Sequence, residues 1–224
     1  MSKKHNATLK CPKCFQEYES EIWDSYNLQI EKNDITPIIN NSIVTHTCPY
    51  CKTKAYLFNQ IMFHDMERKT AIFFLPGVIG TNEELINQII EIAKKQGMIN
   101  YKIRIVEEDY DSFKEKILEL TKGYDDKVCE IYKSIILKDE ANVKIARFLF
   151  KDEKITGMYI MYSDGTNKVI KFQDSLYDSI KKEYQSLIKD EPNIVNQEYA
   201  ERIIAKKQWC EKEFMLLKQS LVYV

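Results

Sequence analysis

The sequence CPYC at positions 48–51, within THTCPYCKTKA (45–55), decides the fold of the first half of the chain because the pattern occurs twice. A second copy, CPKC, occupies positions 11–14. Two Cys-x-x-Cys pairs supply four thiolates, which complete the tetrahedral shell of a structural zinc ion and leave no position for water or substrate. The sequence therefore predicts a zinc site whose ligands are Cys11, Cys14, Cys48 and Cys51.

Other interpretations of these cysteines stay open at this point. CPYC is also the redox-active dithiol of glutaredoxin-like proteins, in which it lies between a strand and the start of a helix. A protein with one redox dithiol has no use for the second copy. An iron–sulfur centre and unliganded core thiols are the remaining alternatives. Zinc is favoured because four cysteines form a closed structural shell.

Each tetrapeptide predicts a tight metal-binding turn, because proline after the first cysteine fixes φ near −65°. The residue after the second cysteine often takes a left-handed backbone, which suits glycine. Phe15 and Lys52 stand there instead, and we expect each to cost about 1 kcal/mol. The pairs are separated by thirty-three residues, more than the roughly fifteen to twenty of a zinc ribbon. We therefore expect a strand pair or an insertion between the two turns.

The composition is that of an ordinary globular protein, with 224 residues, 44% apolar and 30% charged. A chain of this length forms a core without disulfides. The net charge of −1 gives no global attraction to nucleic acid or anionic lipid. The polar N-terminal stretch and the lack of any apolar run of about 18 residues predict a cytoplasmic protein with no membrane segment. Disulfides are then disfavoured, which further favours metal binding.

The apolar patterns predict an α+β fold with three parts: an N-terminal zinc-ribbon-like β module, a helical middle section, and a C-terminal antiparallel sheet with a helical hairpin. Strand-like runs flank both cysteine pairs and predict one small sheet that carries them. In the middle section, Thr81 with Glu84 and Ser112 with Glu115 match the capping box at a helix start. In the last third, Asp164-Gly165 predicts a hairpin turn and Pro192 separates two helices.

Further segments resemble the CpXC domain family, which is named for its two Cys-Pro-x-Cys motifs. The similar segments are WDS (23–25), FHDM (63–66), RIV (104–106) and DDKVCEIYK (125–133). The resemblance implies a zinc-binding domain over 8–135. The apolar pattern of the last third predicts a separate module over 140–224, with strands followed by two helices. The family is biochemically uncharacterised, so the resemblance supports the metal site and implies no activity.

Two histidines are candidates for chemistry. His64 and Asp65 are neighbours and suit acid-base work. A structural role is favoured because successive residues of a strand point to opposite faces. His46, two residues before Cys48, is an alternative metal ligand that four thiolates make unnecessary. The isolated Cys129 and Cys210 are predicted to be small buried hydrophobic residues.

Basic and aromatic residues surround the cysteine pairs and are suited to single-stranded nucleic acid. They are Lys13, Phe15, Tyr50, Lys52, Lys54, Tyr56, Arg68 and Lys69. Three nearby glutamates, at positions 17, 19 and 21, favour an ordinary solvated surface instead. The apolar C-terminal helices suit a protein partner or dimerisation, although covering the sheet of the last third is favoured.

The sequence favours a non-catalytic module that binds or scaffolds an unidentified protein partner. A nucleic-acid-binding accessory protein is the alternative. A thiol redox protein, or an enzyme with a site near His64 and Asp65, is less favoured.

Overall fold

The computed structural model describes residues 2–77 and 83–221, with side chains described as far as position 209. The chain divides into two compact units, Met1–Ile117 and Leu118–Val224. Helices and strands occur in both units, which confirms the α+β class. The domain limits 8–135, from the family resemblance, and 140–224, from the strand and helix pattern, remain predictions. Within the described residues, no helix combines the length and the apolar character needed to cross a membrane.

The described part of the first unit holds seven strands in two sheets. The strands are β1 (Lys3–Lys10), β2 (Glu17–Asn27), β3 (Thr45–Thr47), β4 (Lys54–Tyr56), β5 (Ile61–Asp65), β6 (Thr70–Phe74) and β7 (Lys102–Val106). Five of them form a mixed sheet in the order β1-β2-β5-β6-β7. Strand β2 is parallel to β5, and β6 is parallel to β7. Strands β3 and β4 form a separate antiparallel pair.

This division corrects the prediction that one small sheet carries both cysteine pairs. The first pair follows β1 in the five-stranded sheet, and the second pair lies between β3 and β4 in the other sheet. The segment β1, KKHNATLK, has almost no apolar alternation, so its sequence gives no strand signal. It becomes a strand because it pairs with β2 along its whole length.

The first unit also contains α1 (Thr36–Ile39), α2 (Glu83–Lys95) and most of α3 (Tyr110–Thr121). Helix α2 ends as predicted at Gly97, whose φ is 90°. The capping box predicted from Thr81 lies outside the described residues. The one predicted from Ser112 is wrong: Asp109 caps α3, because its carboxylate accepts a 2.7 Å hydrogen bond from the Ser112 amide.

The second unit is built from α4 (Asp126–Leu137), β8 (Val143–Lys151), β9 (Lys154–Tyr162), β10 (Asn167–Lys171), α5 (Asp174–Tyr184) and α6 (Gln197–Leu221). The three strands form an antiparallel sheet in the order β10-β9-β8. The predicted hairpin turn is confirmed, with Gly165 at φ 86° between β9 and β10. The predicted helical pair is confirmed too, and Pro192 lies between α5 and α6.

The core of the second unit forms where α4, α5 and α6 meet the sheet. Cys129 on α4 is fully buried there, which confirms its prediction as a small hydrophobic residue. Tyr132 stacks on Phe172 with ring centroids 4.8 Å apart, and its hydroxyl accepts a hydrogen bond from the Gln173 amide. The polar tip of a buried aromatic residue is thereby satisfied.

Gly157 in β9 is required by the close approach of β10. A methyl group there would lie 2.9 Å from the carbonyl oxygen of Ile170 and 3.3 Å from Val169 Cγ1. We expect Gly157→Ala to lower the free energy of unfolding by about 1–3 kcal/mol, because the backbone of β10 must move. Denaturant unfolding measures this. The control is Lys171→Ala, at the exposed position paired with Gly157, which should have little effect.

Candidate metal centre

The two Cys-Pro-x-Cys motifs form the ends of two β-hairpins. The first connects β1 to β2, and Lys10 pairs with Glu17 directly before and after it. The second connects β3 to β4, and Thr47 pairs with Lys54 in the same way. Each connection therefore spans six residues, at 11–16 and at 48–53. The two turns are structurally equivalent although they belong to different sheets.

Equivalent backbone hydrogen bonds close both turns. The Cys11 amide donates to Gln16 O (3.0 Å), and the Cys48 amide donates to Thr53 O (2.9 Å). In return, the carbonyl oxygens of the two cysteines accept hydrogen bonds of 3.0 Å from the amides four residues on. This tight closure directs both thiols of a pair to one side of the turn.

The four sulfur atoms converge on a single point. Cys11 Sγ lies 3.5 Å from Cys51 Sγ, and Cys14 Sγ lies 3.6 Å from Cys48 Sγ. All four lie within 4.8 Å of one another. A tetrahedral zinc ion with Zn–S bonds near 2.3 Å requires sulfurs about 3.8 Å apart. The arrangement thus fits one metal ion, and the four cysteines form the only such group in the described part of the chain.

The burial of the thiols is the same in both cysteine pairs. The first cysteine of each pair is buried, and Cys14 and Cys51 are half-buried. Half-exposed thiols at the ends of hairpins gain little from apolar packing, which disfavours the unliganded-core interpretation. Strand β4, and no helix, follows Cys51. The glutaredoxin-like interpretation requires a helix there, so the local fold disfavours it as well.

Hydrogen bonds to two of the sulfurs favour their thiolate forms, which are the forms that bind metal. Cys11 Sγ lies 3.4 Å from the Lys13 amide and 3.5 Å from the Cys14 amide. The Cys14 amide is the largest cause of a lowered pKa at Cys11. Cys51 Sγ lies 3.3 Å from the Thr53 hydroxyl. Donation by that hydroxyl to the Cys51 thiolate is the largest cause that lowers the pKa of Cys51 to about 6.

His46 has a structural role beside the cysteine cluster. Its Nδ1 lies 2.8 Å from the Ser20 hydroxyl, so the side chain joins β3 to β2. The imidazole is buried, and burial lowers its pKa. The predicted alternative, in which His46 replaces a cysteine, has no support from this geometry, because the group of candidate ligands contains cysteines alone.

Asp65 and His64 do not form an acid-base pair. Asp65 Oδ1 accepts hydrogen bonds from Gln29 Nε2 (2.9 Å) and from the amides of Glu67 and Arg68 (3.1 Å each). Its Oδ2 is 2.8 Å from the Arg68 guanidinium. Burial alone would raise the pKa of Asp65, but these hydrogen bonds lower the pKa below its ordinary value. The carboxylate is therefore engaged in holding the turn between β5 and β6.

His64 pairs with a different partner. The Asn27 side-chain amide lies 3.0 Å from His64 Nδ1, and the ring lies 5.2 Å from the Tyr101 ring. Burial is the main cause that lowers the pKa of His64. With the Asn27 amide as donor, the neutral imidazole carries its proton on Nε2. These contacts tie the end of β5 to the end of β2.

The sequence analysis missed two residues of the site. Thr53 contacts Cys51 Sγ, and Ser20 contacts His46. A threonine two residues after the second cysteine of a pair is a local signal for such a contact. Ser20 gives no local signal, because its contact depends on how β2 and β3 meet. The remaining candidate, Cys210, lies among the residues whose side chains are not described.

The strained backbone predicted at the turns is confirmed, with φ of 61° at Phe15 and 60° at Lys52. We expect Lys52→Gly to raise the free energy of unfolding of the metal-bound protein by about 1 kcal/mol, because glycine adopts this conformation without strain. The control is Lys54→Gly in strand β4, where glycine should be destabilising. Denaturant unfolding at a fixed concentration of free metal measures both variants. If both substitutions change the free energy of unfolding in the same direction, the explanation by backbone strain is contradicted.

The comparisons with known proteins agree with this geometry. The family model described as CpXC protein matches residues 9–133, more than half of the chain. No curated protein matches the chain. No solved structure matches it either. The matched region contains both cysteine turns, and the chain belongs to the CpXC family.

Proposed function

We propose that the CpXC region is a binding module stabilised by one structural zinc ion. The observation that carries this proposal is the convergence of four sulfurs from two hairpins within 4.8 Å. Four protein ligands fill a tetrahedral shell, so the ion has no open position for water or substrate. Its role is then to hold the fold together and not to perform catalysis.

The size of the sulfur cluster favours a single ion such as zinc over a polynuclear iron–sulfur centre. A tetrahedral four-thiolate site suits zinc or iron–sulfur chemistry. A polynuclear iron–sulfur cluster places several irons and sulfides between its cysteines, which requires wider spacing than the 3.5 Å and 3.6 Å contacts here. A single ion fits better, and metal analysis identifies it directly.

The energetic need for the ion follows from the small size of the second hairpin. Strands β3 and β4 have three residues each, and an isolated two-stranded hairpin is marginally stable at best. The ion closes the loop between the two turns and contributes its binding energy to folding. The contact between Ser20 and His46 supports the same junction from the other side.

A module held together in this way presents surfaces to a partner. The sequence alone favours a protein partner, with nucleic acid as the alternative. The described residues around the second turn favour the alternative, because exposed lysines and aromatic rings follow one another there. In either case, partner binding depends on the integrity of the metal centre.

We expect the purified protein to contain one zinc per chain, and Cys48→Ala to lose the metal together with folded structure in the first unit. The control is Cys129→Ala, which removes a buried thiol of the second unit and should retain the metal. Elemental analysis and free-thiol titration measure both. No metal in the wild-type protein, with a reversible disulfide and Cys48-dependent thiol exchange, would make CPYC a redox centre instead.

We expect Thr53→Val to weaken zinc binding by about tenfold, because polar groups that orient ligands contribute on this scale. The hydroxyl near Cys51 favours its thiolate, and valine removes that hydroxyl at similar volume. Thr47→Val is the matched control, because Thr47 lies on the same hairpin without a contact to sulfur. Competition with a chromogenic chelator measures the affinity. Equal affinities for the two variants would show that the hydroxyl is not needed.

A further inference from the structure

A row of exposed side chains continues from the second cysteine turn along β4. Lys52, Lys54, Tyr56 and Phe58 are exposed and alternate with half-buried residues. The pleat of an extended strand places Lys54 and Tyr56 on one face of β4. Lys52 lies in the turn before this strand, and Phe58 follows the strand. We call these four residues the basic-aromatic strip. Its lysines lie next to the cysteine turn and its rings lie farther along the chain.

The two rings of the strip are ordered despite their exposure. Tyr56 is 62% exposed and Phe58 is 47% exposed. Their planes lie within 9° of parallel, with centroids 6.1 Å apart. Phe58 also contacts the buried Tyr110 ring at 5.3 Å, which anchors the row to the core. Two parallel, solvent-accessible aromatic faces are therefore held in a fixed orientation.

The two lysines of the strip are available to a ligand. Lys52 and Lys54 are exposed, and neither forms an ion pair with any described residue. Lys4 and Lys94 form ion pairs with Glu21 and Glu91. Lys10, Lys13 and Lys69 are also exposed and form no ion pair with a described residue. The overall charge of −1 therefore does not exclude a pair of cations beside the aromatic rings.

We propose that the basic-aromatic strip binds single-stranded nucleic acid, with bases stacked on Tyr56 and Phe58 and phosphates held by Lys52 and Lys54. Surfaces that bind single strands combine aromatic faces for the bases with cations along the backbone. This inference names the partner of the module and rests on the proposed function, because the metal centre orders the hairpin that carries the strip.

A protein partner fits this surface less well. The centre of a protein interface is apolar and depleted of charged residues. The strip instead begins with two unpaired lysines and has no aliphatic side chain on its exposed face. The parallel rings can stack on unstacked bases, and the unpaired lysines can bind the phosphates of the same strand. A double helix presents no free base faces, so single strands should bind more tightly than duplexes.

The test measures binding of the full-length, zinc-loaded protein to fluorescent oligothymidylate of about 16 nucleotides, by anisotropy over a series of salt concentrations. We expect Tyr56→Thr to weaken binding by about tenfold, because one stacking contact is lost. Its salt dependence should stay unchanged. The double variant Lys52→Gln/Lys54→Gln should reduce the slope of log affinity against log salt by about 1.4, or about 0.7 for each lost phosphate contact on a single strand.

Two matched controls come from the second unit. Trp209→Gln removes an aromatic residue that is 59% exposed, and Lys171→Gln removes an exposed strand lysine. Both should leave affinity and slope unchanged. Zinc content is measured on every sample, because the strip lysines lie near the thiolates and a loss of metal would otherwise imitate a loss of binding.

Three outcomes would overturn the proposal. If the wild-type protein retains its zinc but does not bind the oligonucleotide at low salt, the strip is not a nucleic-acid site. The proposal of a structural zinc ion would then still stand. Equal affinities of the wild type and Tyr56→Thr would reduce the interaction to nonspecific attraction. Self-association that Tyr56→Thr abolishes, measured by sedimentation, would assign the strip to a second copy of the chain. A protein without zinc would contradict the proposed function itself.

Discussion

The meeting of four thiols at one point is the constraint on which the first unit depends. The two cysteine turns belong to separate sheets, so the ladder hydrogen bonds of one sheet cannot fix the position of the other. Backbone closure within each turn fixes the direction of its own pair of sulfurs. The mutual position of the two turns depends on the sulfur cluster, assisted by the contact between Ser20 and His46.

Features whose causes are local could be predicted from the sequence. The spacing of two residues within each cysteine pair predicted the candidate ligands, because a tight turn is sufficient to bring such residues together. The left-handed backbone at Phe15 and Lys52 was predictable for the same reason, as was the hairpin turn at Gly165. Each of these follows from the allowed conformations of a few consecutive residues.

Features with nonlocal causes could not be predicted. Strand β1 is polar and acquires its conformation from β2, so no periodicity in its own residues indicates a strand. The parallel pairing of β2 with β5 joins segments separated by the whole second cysteine turn. For His64 and Asp65 a structural role was favoured from the sequence, but the partners that hold each side chain were not apparent from it. In the structure, Asn27 contacts His64 and Arg68 contacts Asp65.

The proximity of the metal centre to the basic-aromatic strip has a thermodynamic consequence. Lys52 follows Cys51 directly, and its amide donates to the carbonyl oxygen of Cys48, so it belongs to the turn that supplies two sulfurs. If metal binding orders this turn and thereby increases affinity for a ligand on the strip, the ligand must increase affinity for the metal by the same factor. A metal and a partner that both bind the ordered state of this hairpin, which is too short to be stable alone, would stabilise one another.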